Sequence, residues 1–145
     1  MTGPFASLRD EEFVSLTTFR RTGIGVSTAM WFALDGEDVV VSTPAGAGKL
    51  KRLRHTPRVT LQACTRRGEP KPGAVVFTGV AHSVQRAEVE AALAAKYGWQ
   101  WRVALRIEWL ISRVRHRRPP PPRAALRITP VEPGRSDAEP AFRRP

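Results

Sequence analysis

Apolar positions in the first 84 residues fall in short stretches, rich in β-branched and aromatic residues, that glycines, prolines and charged residues separate. Such stretches are typical of β-strands rather than helices. The pattern predicts strands at Phe13–Arg20, Gly23–Leu34, Asp38–Thr43, Arg58–Thr65 and Ala74–Val84. The Asp35-Gly36 pair before the third strand is a hairpin signal, so consecutive strands are expected to be antiparallel.

Apolar residues spaced by three or four positions predict helices elsewhere in the chain. Leu50 and Leu53 share one face of a short helix, and Val89, Leu93 and Tyr97 share one face of a longer one. The predicted helices are Lys49–His55, Arg86–Tyr97 and Trp99–Arg115. The short helix follows the third predicted strand, and the other two form a helical insertion over residues 86–117.

The remaining pattern completes a single domain. Arg123–Val131 alternates apolar and polar residues and is expected to add a last strand, after a stiff spacer at Pro119–Pro122. The chain of 145 residues is therefore predicted to be mainly β (α+β), with six antiparallel strands in one domain over residues 1–133. Residues 134–145 are rich in Pro, Gly and charge, and we expect a disordered tail there.

Charge changes this picture by requiring an anionic partner. The chain carries 24 Lys and Arg against 13 Asp and Glu, a formal net charge of +11. No Lys or Arg occurs in Thr22–Gly48, and the basic residues concentrate in Lys49–Arg58 and Arg102–Arg123. A polyanionic small molecule and an anionic lipid surface both fit such a distribution. Nucleic acid is not expected, because neither an aromatic strand motif nor a helix-turn-helix accompanies the charge.

Other features of the composition predict a cytoplasmic protein. Charged residues Arg9 to Glu12 precede the first apolar stretch, unlike a signal peptide, and no run is long enough to span a membrane. Cys64 is the single cysteine, which excludes an internal disulfide. Cys64 and the three histidines lack the spacing of a metal cluster or catalytic triad, so no metal is expected.

The segment Ser42–Arg54 holds the chemistry expected of a phosphate site. Hydroxyl residues end a strand, and glycines that let a ligand approach the backbone follow: Ser42, Thr43, Gly46 and Gly48. A helix then begins, which offers free N–H groups, and Lys49 and Arg52 share one of its faces. A solvated basic helix that caps a loop explains the spacing equally well. The pattern is not that of a P-loop.

Four strings together resemble the pyridoxamine-phosphate-oxidase-like superfamily, in particular its deazaflavin-dependent branch, which uses coenzyme F420. They are Val26–Gly36, Val41–Thr43, Gly48–Arg54 and Pro57–Val59. Lys96–Trp99 is also similar to one subgroup of that branch. The resemblance covers Phe13–Val84 and implies a six-stranded split β-barrel, usually a homodimer, with the cofactor in a cleft between subunits.

The resemblance assigns roles to particular residues. The positions that match the phosphate-binding stretch of the family are Ser42, Thr43, Gly48, Lys49, Lys51 and Arg52. Those that match the strand edge facing the cofactor ring are Val26, Ser27 and Thr28. Ordinary polarity on a solvent-facing strand is the alternative for Ser27 and Thr28. Trp31 and Phe32 are expected in the core.

The resemblance also implies the cofactor and the reaction. Members that bind FMN have a basic second strand, whereas the second predicted strand here has no Lys or Arg from Gly23 onward. F420 carries a phosphodiester and a polyglutamate tail, so it is more anionic than FMN. We therefore expect an oxidoreductase that transfers hydride between F420 and a small unsaturated or quinone-like substrate; no catalytic side chain is assigned. An FMN-binding relative and a non-catalytic cofactor- or membrane-binding module are the alternatives.

The second basic region has three possible roles. Four arginines fall near one face of the last predicted helix: Arg102, Arg106, Arg113 and Arg117. Apolar residues fall near another: Val103, Ile107, Leu110 and Val114. The arginine face is either a solvated surface, an interfacial helix on anionic lipid, or a lid over the cofactor cleft.

Overall fold

The structure, a computed structural model, describes residues 3–116 and 123–131. Within these residues, strands lie at β1 Phe13–Phe19, β2 Gly25–Trp31, β3 Ala33–Asp35, β4 Asp38–Pro44, β5 Arg58–Cys64, β6 Phe77–Val84 and β7 Arg123–Pro130. Helices lie at α1 Gly48–His55, α2 Arg86–Tyr97 and α3 Trp99–His116, and a 3-10 turn at Ala6–Leu8 precedes β1. The protein is mainly an antiparallel sheet with a few helices.

The strands form one sheet in the order β2-β1-β5-β6-β7-β4-β3, and every neighbouring pair is antiparallel. The two edge strands, β2 and β3, are consecutive in sequence and only Phe32 separates them. A sheet can place its two edges one residue apart only if it curls. The sheet is therefore a curled half-barrel, and β2 also lies close to β4.

The prediction of six strands is wrong, because the described residues form seven. The predicted strand Gly23–Leu34 is one apolar run in sequence, but its first part pairs with β1 and its last part with β4. The chain changes its pairing partner at Phe32 without a turn. The hydrophobic pattern therefore does not reveal that one predicted strand is two. The predicted strand Ala74–Val84 also begins later, at Phe77, and Val75 and Val76 are exposed.

The concave face of the sheet encloses the main core. Alternate residues of the central strands point inward and are fully buried, among them Val14, Leu16, Val39, Val41, Val59 and Leu61. Phe5 and Leu8 of the N-terminal turn pack against the same cluster, as does Phe32. The alternation that predicted the fourth strand thus places Val59 and Leu61 inside.

The convex face of the sheet is covered by α2 and the start of α3. Val40 and Ala125 point outward and contact buried side chains of these helices: Val89, Leu93, Tyr97 and Trp101. Trp31 stacks on Tyr97 with ring centroids 4.5 Å apart. The helical insertion is therefore a second layer that packs on the sheet.

Several expectations lie outside the described residues: the spacer Pro119–Pro122, Arg117 and the tail 134–145. Among the helices in the described part, none combines the length and the apolar composition that crossing a membrane requires.

Candidate functional site

Helix α1 places two basic side chains, those of Lys49 and Arg52, at one end of the half-barrel. The chain turns after β4 through a hydrogen bond from the Ala47 N–H to the Pro44 carbonyl, and α1 begins at Gly48. This tight turn folds the first residue after Gly48 back over the end of β4. As a result Lys49 Nζ donates to Thr43 Oγ1 at 3.1 Å, and both residues are buried.

Arg52, one helical turn further on, reaches a different strand. Its Nε donates to Thr18 Oγ1 at 2.6 Å, and Thr18 lies near the end of β1. The guanidinium also lies against Gly48, where an added Cβ would stand 3.0 Å from Arg52 Nη1. Glycine at this position therefore leaves room for the Arg52 side chain beside the helix N-terminus. Hydroxyls from β1 and β4, which do not pair with each other, thus orient the two cations.

The electrostatic environment of the pair is strongly positive. Burial, and then the nearby charges of Arg52 and Arg123, lower the pKa of Lys49 below its ordinary value. Within residues 3–116 and 123–131, neither Lys49 nor Arg52 forms an ion pair with a carboxylate. A buried ammonium without a counter-anion is costly, so the arrangement favours binding of an anion. We call Thr18, Thr43, Gly48, Lys49 and Arg52 the cation cluster.

Ser42 lies on the other side of β4 and does not join the cation cluster. Its hydroxyl accepts from Arg123 Nε at 2.7 Å, and its carbonyl accepts from the same guanidinium at 3.1 Å. Arg123 also forms a bidentate ion pair with Glu108 of α3, at 2.8 and 2.7 Å. Ser42 therefore helps to tie β4 and β7 to α3 on the convex face.

The three predicted residues of β2 divide between the two faces of the sheet. Val26 pairs with Thr18 and Thr28 with Leu16, so both side chains lie on the concave face, which also holds the cation cluster. Ser27 lies on the convex face, where its hydroxyl and that of Thr17 are 2.6 Å apart. The register thus separates Ser27 from the other two predicted residues.

Lys51 points to solvent from α1, whereas Lys49 is buried. The two residues are two positions apart, which places them on opposite sides of a helix. Of the predicted phosphate residues, the structure therefore brings together Thr43, Gly48, Lys49 and Arg52, and it leaves Ser42 and Lys51 apart from them.

Sequence comparison places this fold in a known group. The family model described as pyridoxamine 5'-phosphate oxidase matches residues 5–133. The chain belongs to the pyridoxamine 5'-phosphate oxidase family. The predicted resemblance to this superfamily is confirmed, and the half-barrel is the structure of a family member. No curated protein matches the chain significantly by sequence.

Solved structures share the fold at low identity. The heme storage protein HutZ from Vibrio cholerae is 17% identical with a TM-score of 0.59, over 85% of this chain and 84% of that one. An F420 reductase is 20% identical with a TM-score of 0.55, over 91% and 97%. A FAD-binding protein from Mesorhizobium loti is 15% identical with a TM-score of 0.56, over 86% and 83%. These likenesses establish the fold alone, because the named ligands differ.

Sequence reasoning missed Thr18 and Arg123. Thr18 is one of two adjacent threonines on a predicted strand, and nothing in its local pattern sets it apart from Thr17. Arg123 begins the last predicted strand, directly after four prolines. Both gain their roles from strands and helices distant in sequence, so no local signal identifies them.

The cation cluster fits the phosphate group of a nucleotide-like cofactor of this family. Two cations, hydroxyl groups and a helix N-terminus are donors that bind phosphate oxygens. A phosphate would also supply the counter-anion that Lys49 and Arg52 lack among the described residues. The family's flavin-type cofactors all carry such a group, so this fit does not distinguish among them.

Proposed function

We propose that the protein is an F420-dependent oxidoreductase that transfers hydride between the deazaflavin and a small unsaturated or quinone-like substrate. The observation that supports a phosphate-bearing cofactor is the cation cluster: buried Lys49 and half-buried Arg52, held by hydroxyls of two strands, without a carboxylate partner in the described structure. Family membership supports a flavin-type oxidoreductase.

The charge distribution favours F420 over FMN. Strand β2 carries no Lys or Arg, and the family members that oxidise pyridoxamine phosphate through FMN resemble one another in a basic strand at that place. The phosphodiester and polyglutamate tail of F420 carry more negative charge, which suits a chain with a net charge of +11. An F420 reductase shares the fold across nearly the whole of both chains, which adds support without deciding the cofactor.

The side chains of this protein would bind and orient the cofactor. Lys49 and Arg52 hold the phosphate, and Thr43 and Thr18 keep the two cations aimed at it. Val26 and Thr28, on the same face of the sheet, lie where the ring would contact β2, and the apolar interior nearby excludes water. The bound deazaflavin supplies the hydride chemistry, so no catalytic side chain is required.

A second subunit is part of this proposal. Strand β2 is an edge strand, since among the described strands it pairs with β1 alone. A homodimer that places a second half-barrel along this edge would close a cofactor cleft over Val26 and Thr28. Equilibrium ultracentrifugation tests this expectation, and a monomer at micromolar concentration would contradict it.

Titration of the purified protein with F420, FMN, FAD and heme tests the cofactor assignment. We expect F420 to bind most tightly, with a change in its fluorescence. Lys49→Ala should weaken F420 binding by about 1.5–3 kcal/mol, because a charge-assisted contact is lost. The matched control Lys51→Ala, on the exposed side of α1, should leave the affinity within experimental error.

Three results would overturn the assignment or its site. Tighter binding of FMN, FAD or heme than of F420 would show that F420 is not the preferred cofactor. Equal, negligible losses of F420 affinity in Lys49→Ala and Lys51→Ala would mean that the phosphate binds elsewhere. Failure of bound, reduced F420 to transfer hydride to any of a panel of enones and quinones would favour a non-catalytic role.

A further inference from the structure

Helix α3 is attached to the rest of the protein along one side only. Trp101 is buried among α2 and the sheet, Leu105 packs beside it, and Glu108 is held by Arg123. These residues are spaced by four and three positions, so they form a single inward-facing stripe. The remaining surface of the helix faces away from the sheet.

The side opposite this stripe is apolar and exposed. Its members recur every three or four residues and are Trp99, Val103, Ile107, Leu110 and Val114. Between 41% and 71% of each residue is solvent-accessible. A continuous exposed apolar stripe of this length marks a binding surface rather than an ordinary solvated helix face. We call these five residues the apolar stripe.

One flank of the apolar stripe is basic. Arg102, Arg106 and Arg113 are exposed and lie four and seven residues apart, on one helix face. Trp109 lies on this flank, half exposed, with the Arg113 guanidinium 5.3 Å from its ring centroid. Glu108 is the one acidic residue in the sequence of α3, and it is already paired with Arg123.

An open groove joins the two surfaces. It has a volume of about 620 Å³ and is lined by Leu105, Arg106, Trp109 and Leu110. Its walls are mainly hydrocarbon, and a guanidinium stands at its margin. A ligand that fits it therefore combines an apolar body with a negatively charged group.

We propose that α3 docks the protein on an anionic phospholipid surface. The apolar stripe enters the boundary between headgroups and acyl chains, the groove takes part of one acyl chain, and the three arginines contact the headgroup phosphates. Exposed Trp99 and Trp109 lie at the depth where indole rings are favoured. This inference is independent of the proposed oxidoreductase function.

Charge argues against a second copy of the chain as the occupant. Two α3 helices packed through their apolar stripes would bring arginine flanks together, with no acidic residue of α3 free to neutralise them. An anionic membrane offers the opposite: negative charge above an apolar layer, in the same order as the arginines and the stripe. A lipid surface therefore provides negative charge for the arginines and an apolar layer for the apolar stripe at the same time.

Sedimentation with sucrose-loaded vesicles tests the proposal on the full chain. We expect binding to vesicles of phosphatidylcholine with about 30% phosphatidylserine, little binding to pure phosphatidylcholine, and weakening as salt rises. Brominated lipids should quench tryptophan fluorescence through Trp99 and Trp109. Buried Trp101 and partly buried Trp31, which pack against the sheet and α2, should respond much less.

Substitutions in exposed residues separate the two parts of the surface. Leu110→Glu should abolish sedimentation, because it places a carboxylate in the apolar stripe. Replacement of Arg102, Arg106 and Arg113 together by Gln should lower the partition coefficient on the order of 100-fold, about fivefold per arginine. The control Val75→Glu changes an equally exposed valine outside α3, 62% accessible, and should bind as the wild type does.

Two outcomes overturn the proposal. The first is equal sedimentation of the wild type and Leu110→Glu at every lipid composition. The second is absence of vesicle binding together with a drop in solution mass for Leu110→Glu, which would make the apolar stripe a contact between copies. Circular dichroism and thermal melting of each variant show whether the fold is retained.

Discussion

Lys49 is a buried lysine whose protonation is coupled to the candidate phosphate site. Its ammonium donates to Thr43. Burial, and then the nearby charges of Arg52 and Arg123, lower its pKa. A bound phosphate would favour the protonated form. Binding of an anionic cofactor is therefore coupled to the protonation of this one side chain.

We predict that cofactor affinity falls as pH rises through the lowered pKa of Lys49. Below that pKa the ammonium is charged and the affinity is constant; above it the charge and its contact are lost. Lys49→Arg should give a profile without this fall up to about pH 10, because a guanidinium stays protonated there. Fluorescence titration from neutral to alkaline pH measures both profiles. A parallel fall in the two proteins would show that another group titrates.

Tyr97 is the residue that secures the crossing between the two sheet edges. Its hydroxyl accepts from the Phe32 N–H at 3.1 Å and lies 2.8 Å from the carbonyl oxygens of Phe32 and Glu12. Burial raises the pKa of Tyr97 to about 12, so the hydroxyl keeps its proton at neutral pH and can donate it. Phe32 pairs neither in the β1–β2 ladder nor in the β3–β4 ladder. Its backbone N–H and carbonyl hydrogen-bond with the Tyr97 hydroxyl instead.

We predict that Tyr97→Phe lowers the free energy of unfolding by about 1–3 kcal/mol, since the buried Phe32 N–H loses its acceptor. Urea denaturation measures the difference. The ring and its stacking on Trp31 are retained, so any loss reports the hydroxyl. A change below about 0.5 kcal/mol would mean that water or a backbone shift replaces the bond.

At the scale of elements, the pairing of β6 with β7 depends on close approach at Gly79. A glycine inside a strand is typical of either a bulge or a close approach of another backbone, and the structure shows a close approach here. A Cβ at Gly79 would lie 2.6 Å from Ile128 Cγ2 and 2.8 Å from the Thr129 carbonyl oxygen. Only a residue without a side chain fits between these two strands.

We predict that Gly79→Ala destabilises the protein by about 1–3 kcal/mol through overpacking. Part of the clash is with backbone, which a rotamer change cannot relieve. Gly46→Ala is the control, since an added Cβ there meets nothing within 4 Å. Thermal melting of both variants gives the comparison, and equal melting temperatures would contradict the strand spacing.

For the whole molecule, the two-layer arrangement depends on how α3 is joined to the sheet. Trp101 is the aromatic anchor, 5.9 Å from the Trp31 ring, and the Glu108–Arg123 ion pair adds a polar link. Beyond Trp101 and the partly buried Leu105, the large apolar side chains described in α3 are exposed and contribute little to the core.

We predict that Trp101→Ala costs about 3–5 kcal/mol of unfolding free energy, in the range of large-to-small substitutions in a core. Trp99→Ala, two residues away but 71% exposed, should change stability by less than about 0.5 kcal/mol. Urea denaturation followed by circular dichroism compares them. Similar losses in both variants would mean that α3 packs on the sheet through a different face.

The sequence alone determined the positions of most elements, the family, and the helical phase that puts Lys49 beside Arg52. These properties depend on residues near one another in the chain, which periodicity and motifs record. Only the tertiary structure decided that the second predicted strand serves both sheet edges, that Thr18 orients Arg52, and that Ser42 is held by Arg123. Each of these depends on which distant segments meet, and an extended apolar run or a lone threonine has the same local pattern whichever strand becomes its neighbour.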